Sequence, residues 1–154
     1  MKSRFSDTFY ETVILRIGNK QLEFQTFNRA NPKHPQHNFF TYEEALEIFK
    51  NPNADGWRLP TKEEMNLLVT DYRFQYYPNN DAHIGKLVLP VEGFFGVDNA
   101  NTQAGYLGSY WTSTEVDSDS KVFAWSLRFS FDSYACVTSV FKKVKMSVRL
   151  VREV

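Results

Sequence analysis

The stretch GWRLPTKEE, residues 56–64, decides the fold. Gly56 permits a sharp entry into the segment. Trp57 and Leu59 are spaced by two, so they share one face of an extended run, and each is large enough to anchor a core. Pro60 ends strand pairing and holds Leu59 away from helical angles. Thr61 then caps a helix, with Glu64 three residues on, placed to reach back to the Thr61 amide. The expectation is a short buried strand that turns straight into a capped helix.

Upstream, the same cap recurs. Thr41 and Glu44 form a capping box for a helix over residues 41–50, with Tyr42, Ala45, Leu46 and Phe49 on one stripe. NPNAD, residues 51–55, ends it. TVILRI (12–17) and QLEFQTF (21–27) read as strands joined at Gly18-Asn19, an N-terminal hairpin. Residues 1–10 read as a flexible arm, and 28–38 as an irregular loop. That loop holds His34 and His37 at H-x-x-H spacing, which can bring two imidazoles to one metal. Pro35 lies between them and the loop has no Cys or acidic residue, so exposed loop histidines are expected, with no metal and no cofactor.

Downstream, the second helix runs from Thr61 to about Tyr72 or beyond, with Met65, Leu68, Val69 and Tyr72 on its buried face, and Pro78 stops it at the latest. Residues 79–105 are the least regular: KLVL (86–89) is a short strand, PVEGFFG (90–96) a hydrophobic bend and VDNANTQAG (97–105) a polar loop. YLGSYWTSTE (106–115) is strand-like. From 123 to 131 alternation is strict. Phe123, Trp125, Leu127, Phe129 and Phe131 face one way, and Ala124, Ser126, Arg128 and Ser130 the other, which predicts one buried and one open face. Asp132-Ser133 is a turn, 134–141 returns antiparallel, and 146–154 closes the chain with Met146, Val148 and Leu150 on one side.

Composition bounds the function. The chain has 154 residues, one domain's worth, and 16% aromatics, so its core should be ring-rich. Lys+Arg and Asp+Glu are 18 each, which gives no long-range pull on nucleic acid or anionic membrane. The basic run Lys142, Lys143 and Lys145 reads as a solvated turn. Cys136 is the sole cysteine, so no internal disulfide forms, and inside a strand it reads as a small hydrophobe. No apolar run nears the roughly 18 residues of a spanning helix. The start has no apolar h-region, which makes the expected location cytoplasmic by default.

Helices followed by a strand meander give an α+β fold, and pairing the N-terminal with the C-terminal strands would close it. GWRLPT at 56–61, LPVEGFFG at 89–96, GSYWTSTE at 108–115 and SVRLVRE at 147–153 together resemble the Fibrobacter major paralogous domain, within the C-type-lectin-like superfamily that includes the formylglycine-generating-enzyme type fold. The resemblance covers about residues 20–154. It implies joined termini, two flanking helices and a second sheet with a variable face. In some members, including phage receptor-binding proteins and targets of diversity-generating retroelements, that face is deliberately mutated.

The departures from the family pattern are informative. The Glu-Pro-Asn, Gln-Pro-Asp and Trp-Asn-Asp strings through which lectins read sugar by calcium do not occur. The acidic stretch Glu115, Asp117, Asp119 is short for a calcium cage. One cysteine cannot supply the pair that the formylglycine enzymes need. No G-x-S-x-G, P-loop or H-E-x-x-H occurs, and Glu63 and Glu64 serve a helix start.

The expectation is therefore a non-catalytic module that binds a protein or glycan ligand. Its candidate positions are Asp117, Asp119, Lys121, Ser126, Arg128, Ser130, Tyr134, Thr138 and Ser139. The alternative is an assembly domain that forms a homo-oligomer through an aromatic surface.

Overall fold

The computed structural model describes residues 11–34, 36–77, 79–96, 100–117 and 121–154. The expected arm (1–10) and Asp119 lie outside the described residues. The N-terminal hairpin forms as read, from β1 (Thr12–Ile17) and β2 (Lys20–Gln25). Helices α1 (Tyr42–Phe49) and α2 (Lys62–Asp71) follow. Both capping boxes close. The Thr41 amide donates to Glu44 Oε1 (2.9 Å) and the Glu44 amide to Thr41 Oγ1 (3.2 Å). The Thr61 amide donates to Glu64 Oε1 (2.9 Å) and the Glu64 amide to Thr61 Oγ1 (3.1 Å). Each box satisfies two amides that a helix start leaves without partners.

After α2 the chain is β. A meander of β3 (Gln75–Tyr77), β4 (Asp81–Ile84) and β5 (Leu87–Leu89) comes first, then a small pair, β6 (Phe94–Phe95) and β7 (Asn101–Thr102). β8 (Leu107–Glu115), β9 (Phe123–Ser130) and β10 (Ser133–Phe141) make an antiparallel sheet in the order β10-β9-β8. β11 (Val151–Glu153) ends the chain. It pairs antiparallel with β2, Val151 opposite Phe24 and Glu153 opposite Leu22, so the terminal strands share one sheet of order β1-β2-β11. The expected α+β fold with joined terminal strands is present. The pairing runs through the second strand of the hairpin, with β1 outside it.

The organising stretch sits at this junction. Arg58 and Val151 exchange both backbone hydrogen bonds, each 2.9 Å, and the Leu59 amide donates to the Phe49 carbonyl. Residues 57–59 thus form a bridge to β11 rather than a full strand. Trp57 and Leu59 are fully buried, and the Arg152 guanidinium lies 4.4 Å over the Trp57 ring. Gly56 makes the entry at φ +90°, where a side chain would be strained.

Two cores result. One holds Leu22, Phe24, Met65, Leu68, Ile84, Leu127 and Phe129 between the terminal sheet, α2 and one face of β9. The other holds Trp57, Leu59, Phe40, Tyr42, Trp111, Ala124, Met146, Val148 and Leu150. Burying each large side chain contributes about 1.5–3 kcal/mol.

Several expectations need correction. β9 lies between the two cores, so it has no open polar face: Ser126 and Ser130 are buried with Ala124. Its aromatic face is not uniformly buried either, since Phe123 and Phe131, at its two ends, are exposed. Residues 81–84, inside the stretch read as least regular, form a strand paired on both sides, and 75–77, ahead of the expected helix stop at Pro78, form one of its partners. Cys136 is exposed on β10, not a core hydrophobe. Lys142 is not solvated: its side chain is only 12% exposed, it reaches Glu115 at 3.5 Å and it lies over the Tyr42 ring.

Candidate functional site

The open panel expected on β9 and β10 is divided by its surroundings. Ser126 Oγ donates to the Thr138 carbonyl (3.0 Å), which binds β9 to β10 inside the sheet. Ser130 Oγ lies 2.6 Å from Ser133 Oγ and donates to Asp132, fixing the turn. Arg128 is half-buried. Its Nε donates to Ser109 Oγ (3.2 Å) and its guanidinium stacks 5.1 Å from the Phe94 ring. Burial pushes its pKa down. Thr138 is half-buried. Asp117, Lys121, Tyr134 and Ser139 are exposed, Tyr134 at 96%. Asp119 falls outside the described residues. The predicted positions therefore separate into a buried or half-buried set in the sheet and an exposed set on its margins.

Two surfaces gather side chains instead. The first lies at one end of the β9–β10 hairpin. Phe123 and Phe141 face each other across the register and stack at 5.0 Å, 39% and 53% exposed. Val122, 47% exposed, extends them, and a hollow of about 320 Å³ runs from Phe141 to the exposed Lys121 and Lys143. Alternation assigned Phe123 to the core. Its place at the strand's end, next to the Val122 bend, is the signal that marks it as outside.

The second is a cleft of about 470 Å³. Its walls hang on opposite edges of one short segment. Phe40 exchanges backbone hydrogen bonds with Met146 (2.9 and 2.8 Å), and Phe95 with Lys145 (2.8 and 2.9 Å). This brings the 36–39 loop to the 92–95 bend. His37, Phe39 and Phe95 form a ring cluster, His37 edge-on to Phe95 at 4.7 Å and Phe39 at 4.9 Å from it. The loop histidines are half-buried, not exposed: His34 stacks on His37 at 5.3 Å and its Nε2 lies 2.9 Å from Glu44 Oε2. His37 Nδ1 accepts from the Phe39 amide (3.0 Å). Burial, then His34 and Lys145, lower the His37 pKa, so the ring is neutral near pH 7.

Glu92 lines the same cleft and is held from behind. Asn28 Nδ2 donates to Glu92 Oε1 (2.5 Å) and to the Tyr110 hydroxyl (3.0 Å). Arg149, 4% exposed, donates through Nε to Asn28 Oδ1 (2.9 Å) and through Nη1 to the Gln25 and Val88 carbonyls. The guanidinium fixes which way the Asn28 amide points. No periodicity announces this cleft; the aromatic doublets HNFF and GFF inside apparent loops are the only trace. Among the described residues no group of three or more His, Cys, Asp or Glu side chains is placed to hold a metal ion. No helix among them is long and apolar enough to cross a membrane.

No curated protein and no solved structure matches this chain. One family does: the Lcl C-terminal domain matches residues 19–152, nearly the whole of the two-core unit described above. The chain belongs to the Lcl C-terminal domain family.

Proposed function

We propose that this protein is a non-catalytic binding module for a protein or glycan ligand, and that contact is made at the Phe123–Phe141 end of the β9–β10 hairpin. The observation that carries this reading is the stacked, half-exposed ring pair beside two exposed lysines. Large apolar side chains grouped at a surface cost solubility unless a partner covers them. Aromatic platforms with cationic rims bind flat apolar surfaces and acceptor oxygens together. The carboxylates with clear structural partners support the non-catalytic part: Glu64 is engaged by Arg58 and Lys20, Glu44 by His34 and a helix cap.

The lectin-like relationship, and the surface diversification of some relatives, belong to the same proposal. Exposed Asp117, Lys121, Tyr134 and Ser139 can change at small cost; Ser126 and Ser130 cannot. A neighbouring reverse transcriptase with a near-copy template differing at the exposed codons would support diversification. Template differences concentrated at the Ser126 and Ser130 codons would count against it.

The test is a glycan and protein array probed with the wild type and with the double variant Phe123→Ser/Phe141→Ser. The expected result is a hit that the variant loses while its melting temperature changes little. A hit retained in full by the variant removes this surface from the reading. The same rings would also serve a contact between copies, which favours self-association as a second reading. Sedimentation over a wide concentration range decides that: a wild-type oligomer dissolved by the double variant supports it, and a monomer throughout rules it out.

A further inference from the structure

We propose that the cleft between the 36–39 loop and the 92–95 bend binds an alkylammonium group. This site is separate from the Phe123–Phe141 surface and does not depend on it. The side chains on its wall that the argument uses are Gln36, His37, Asn38, Phe39, Glu92 and Phe95. Glu92 supplies the one formal charge among them, because His37 is neutral near pH 7. Its Oε1 is occupied by Asn28, and among the described residues its Oε2 has no hydrogen bond. With Asn28 held by buried Arg149, the carboxylate is kept in place before any ligand arrives.

Around that acceptor stand three π systems in mutual contact, His37, Phe39 and Phe95. Ring faces attract a cation and accept methylene groups, and the attraction grows as water is excluded. The amide oxygens of Gln36 and Asn38 can take the remaining N–H donors of an ammonium. Lys145 acts on His37 electrostatically and pairs with Phe95 through the backbone, and it is not among the side chains that line the cleft. An anion would meet Glu92 with no cation among the described lining residues, and an uncharged chain would leave its carboxylate unpaired. The ammonium could come from a free amine or from a lysine side chain of another protein.

The experiment is an NMR titration of the whole chain with n-butylammonium chloride, with 1-butanol and butyrate as uncharged and anionic isosteres. An acetylated, amidated single-lysine peptide is titrated in parallel. The expected result is saturable shifts at His37, Phe39 and Phe95 with the amine, and affinity for butanol and butyrate lower by roughly tenfold or more. Glu92→Gln should weaken the amine by a similar factor, and Phe141→Ser should not. Tighter binding of the peptide than of butylammonium assigns the source to a protein lysine; the reverse assigns it to a small amine. Equal binding of amine and butanol by the wild type overturns the proposal even if Glu92→Gln fails to fold, and so does the absence of saturable shifts with either amine.

Discussion

Arg58 grips Glu64 with both terminal nitrogens: Nη1 to Oε1 and Nη2 to Oε2 are each 2.8 Å. Lys20 adds a third cationic contact at 2.6 Å, and the Glu64 carboxylate is 2% exposed. One carboxylate thus caps α2 and, through Arg58, ties that helix to the segment that bridges β11.

That arrangement sets an acid limit. Burial alone would raise the Glu64 pKa, but Arg58, Lys20 and the Thr61 amide outweigh it and hold it down at about 2, against an ordinary 4.5. A lowered pKa means the unfolded chain takes up the proton first. The stabilisation is present above pH 4.5 and is lost as pH falls toward 2. It amounts to roughly 3 kcal/mol. Glu64→Gln should cost about 3–5 kcal/mol at neutral pH by leaving Arg58 with only the longer Glu153 contact as its ion pair. Denaturant unfolding at stepped pH should then show the variant losing far less than the wild type across that window.

Trp57 offers a cleaner separation of packing from hydrogen bonding. Its indole is fully buried, yet its Nε1 has no hydrogen-bond partner among the described residues. Trp57→Ala should cost about 3–5 kcal/mol through the cavity it leaves. Trp57→Phe removes the N–H and keeps one aromatic ring, so it leaves a smaller cavity and should cost less than half as much. Equal losses in chemical denaturation would overturn this expectation.

Ser126 and Ser139 look alike in sequence, but Ser126 is buried on β9 opposite Thr138 and Ser139 is exposed on β10 opposite Trp125. Ser126→Tyr forces a ring into a filled core and should cost at least about 1–3 kcal/mol. Ser139→Tyr should stay within about 0.5 kcal/mol of the wild type. Thermal melts of the two variants side by side check this.

Gly93 and Gly105 share a positive φ, +72° and +79°, but not their surroundings. A Cβ at Gly93 would run into the Thr102 carbonyl oxygen, whereas at Gly105 it meets nothing within 4 Å among the described residues. Gly105→Ala should cost only the left-handed strain, about 1–2 kcal/mol. Gly93→Ala should cost more than that and disturb the β6–β7 pair, visible as chemical-shift changes at Phe94 and Phe95.

The sequence made the helices legible because a capping box is local: Thr41 with Glu44, and Thr61 with Glu64, carry their own geometry. The hairpins at Gly18 and at Asp132 were readable for the same reason. The β3–β4 turn was harder, since Pro78 suggests a break and Asn80 adopts φ +67° without being a glycine. The buried serines of β9 were not readable. Alternation reports that two faces differ, and a small polar face looks open until Met146, Val148 and Leu150 are known to cover that side. The cleft was invisible for a related reason: the backbones of its two walls are brought together by bridges to residues 145–146, distant in sequence from both.

The seam between β2 and residues 151–153 also fixes when this protein can fold. During synthesis, the hairpin and both helices leave the ribosome long before the strand that completes their sheet. Until Val151 emerges, Phe24 has no neighbour on that edge and the main-chain groups of Arg58 remain unmet. The nascent polypeptide must therefore wait, its rings exposed, with contacts of very long sequence separation still to be made, a condition that slows folding and invites chaperones.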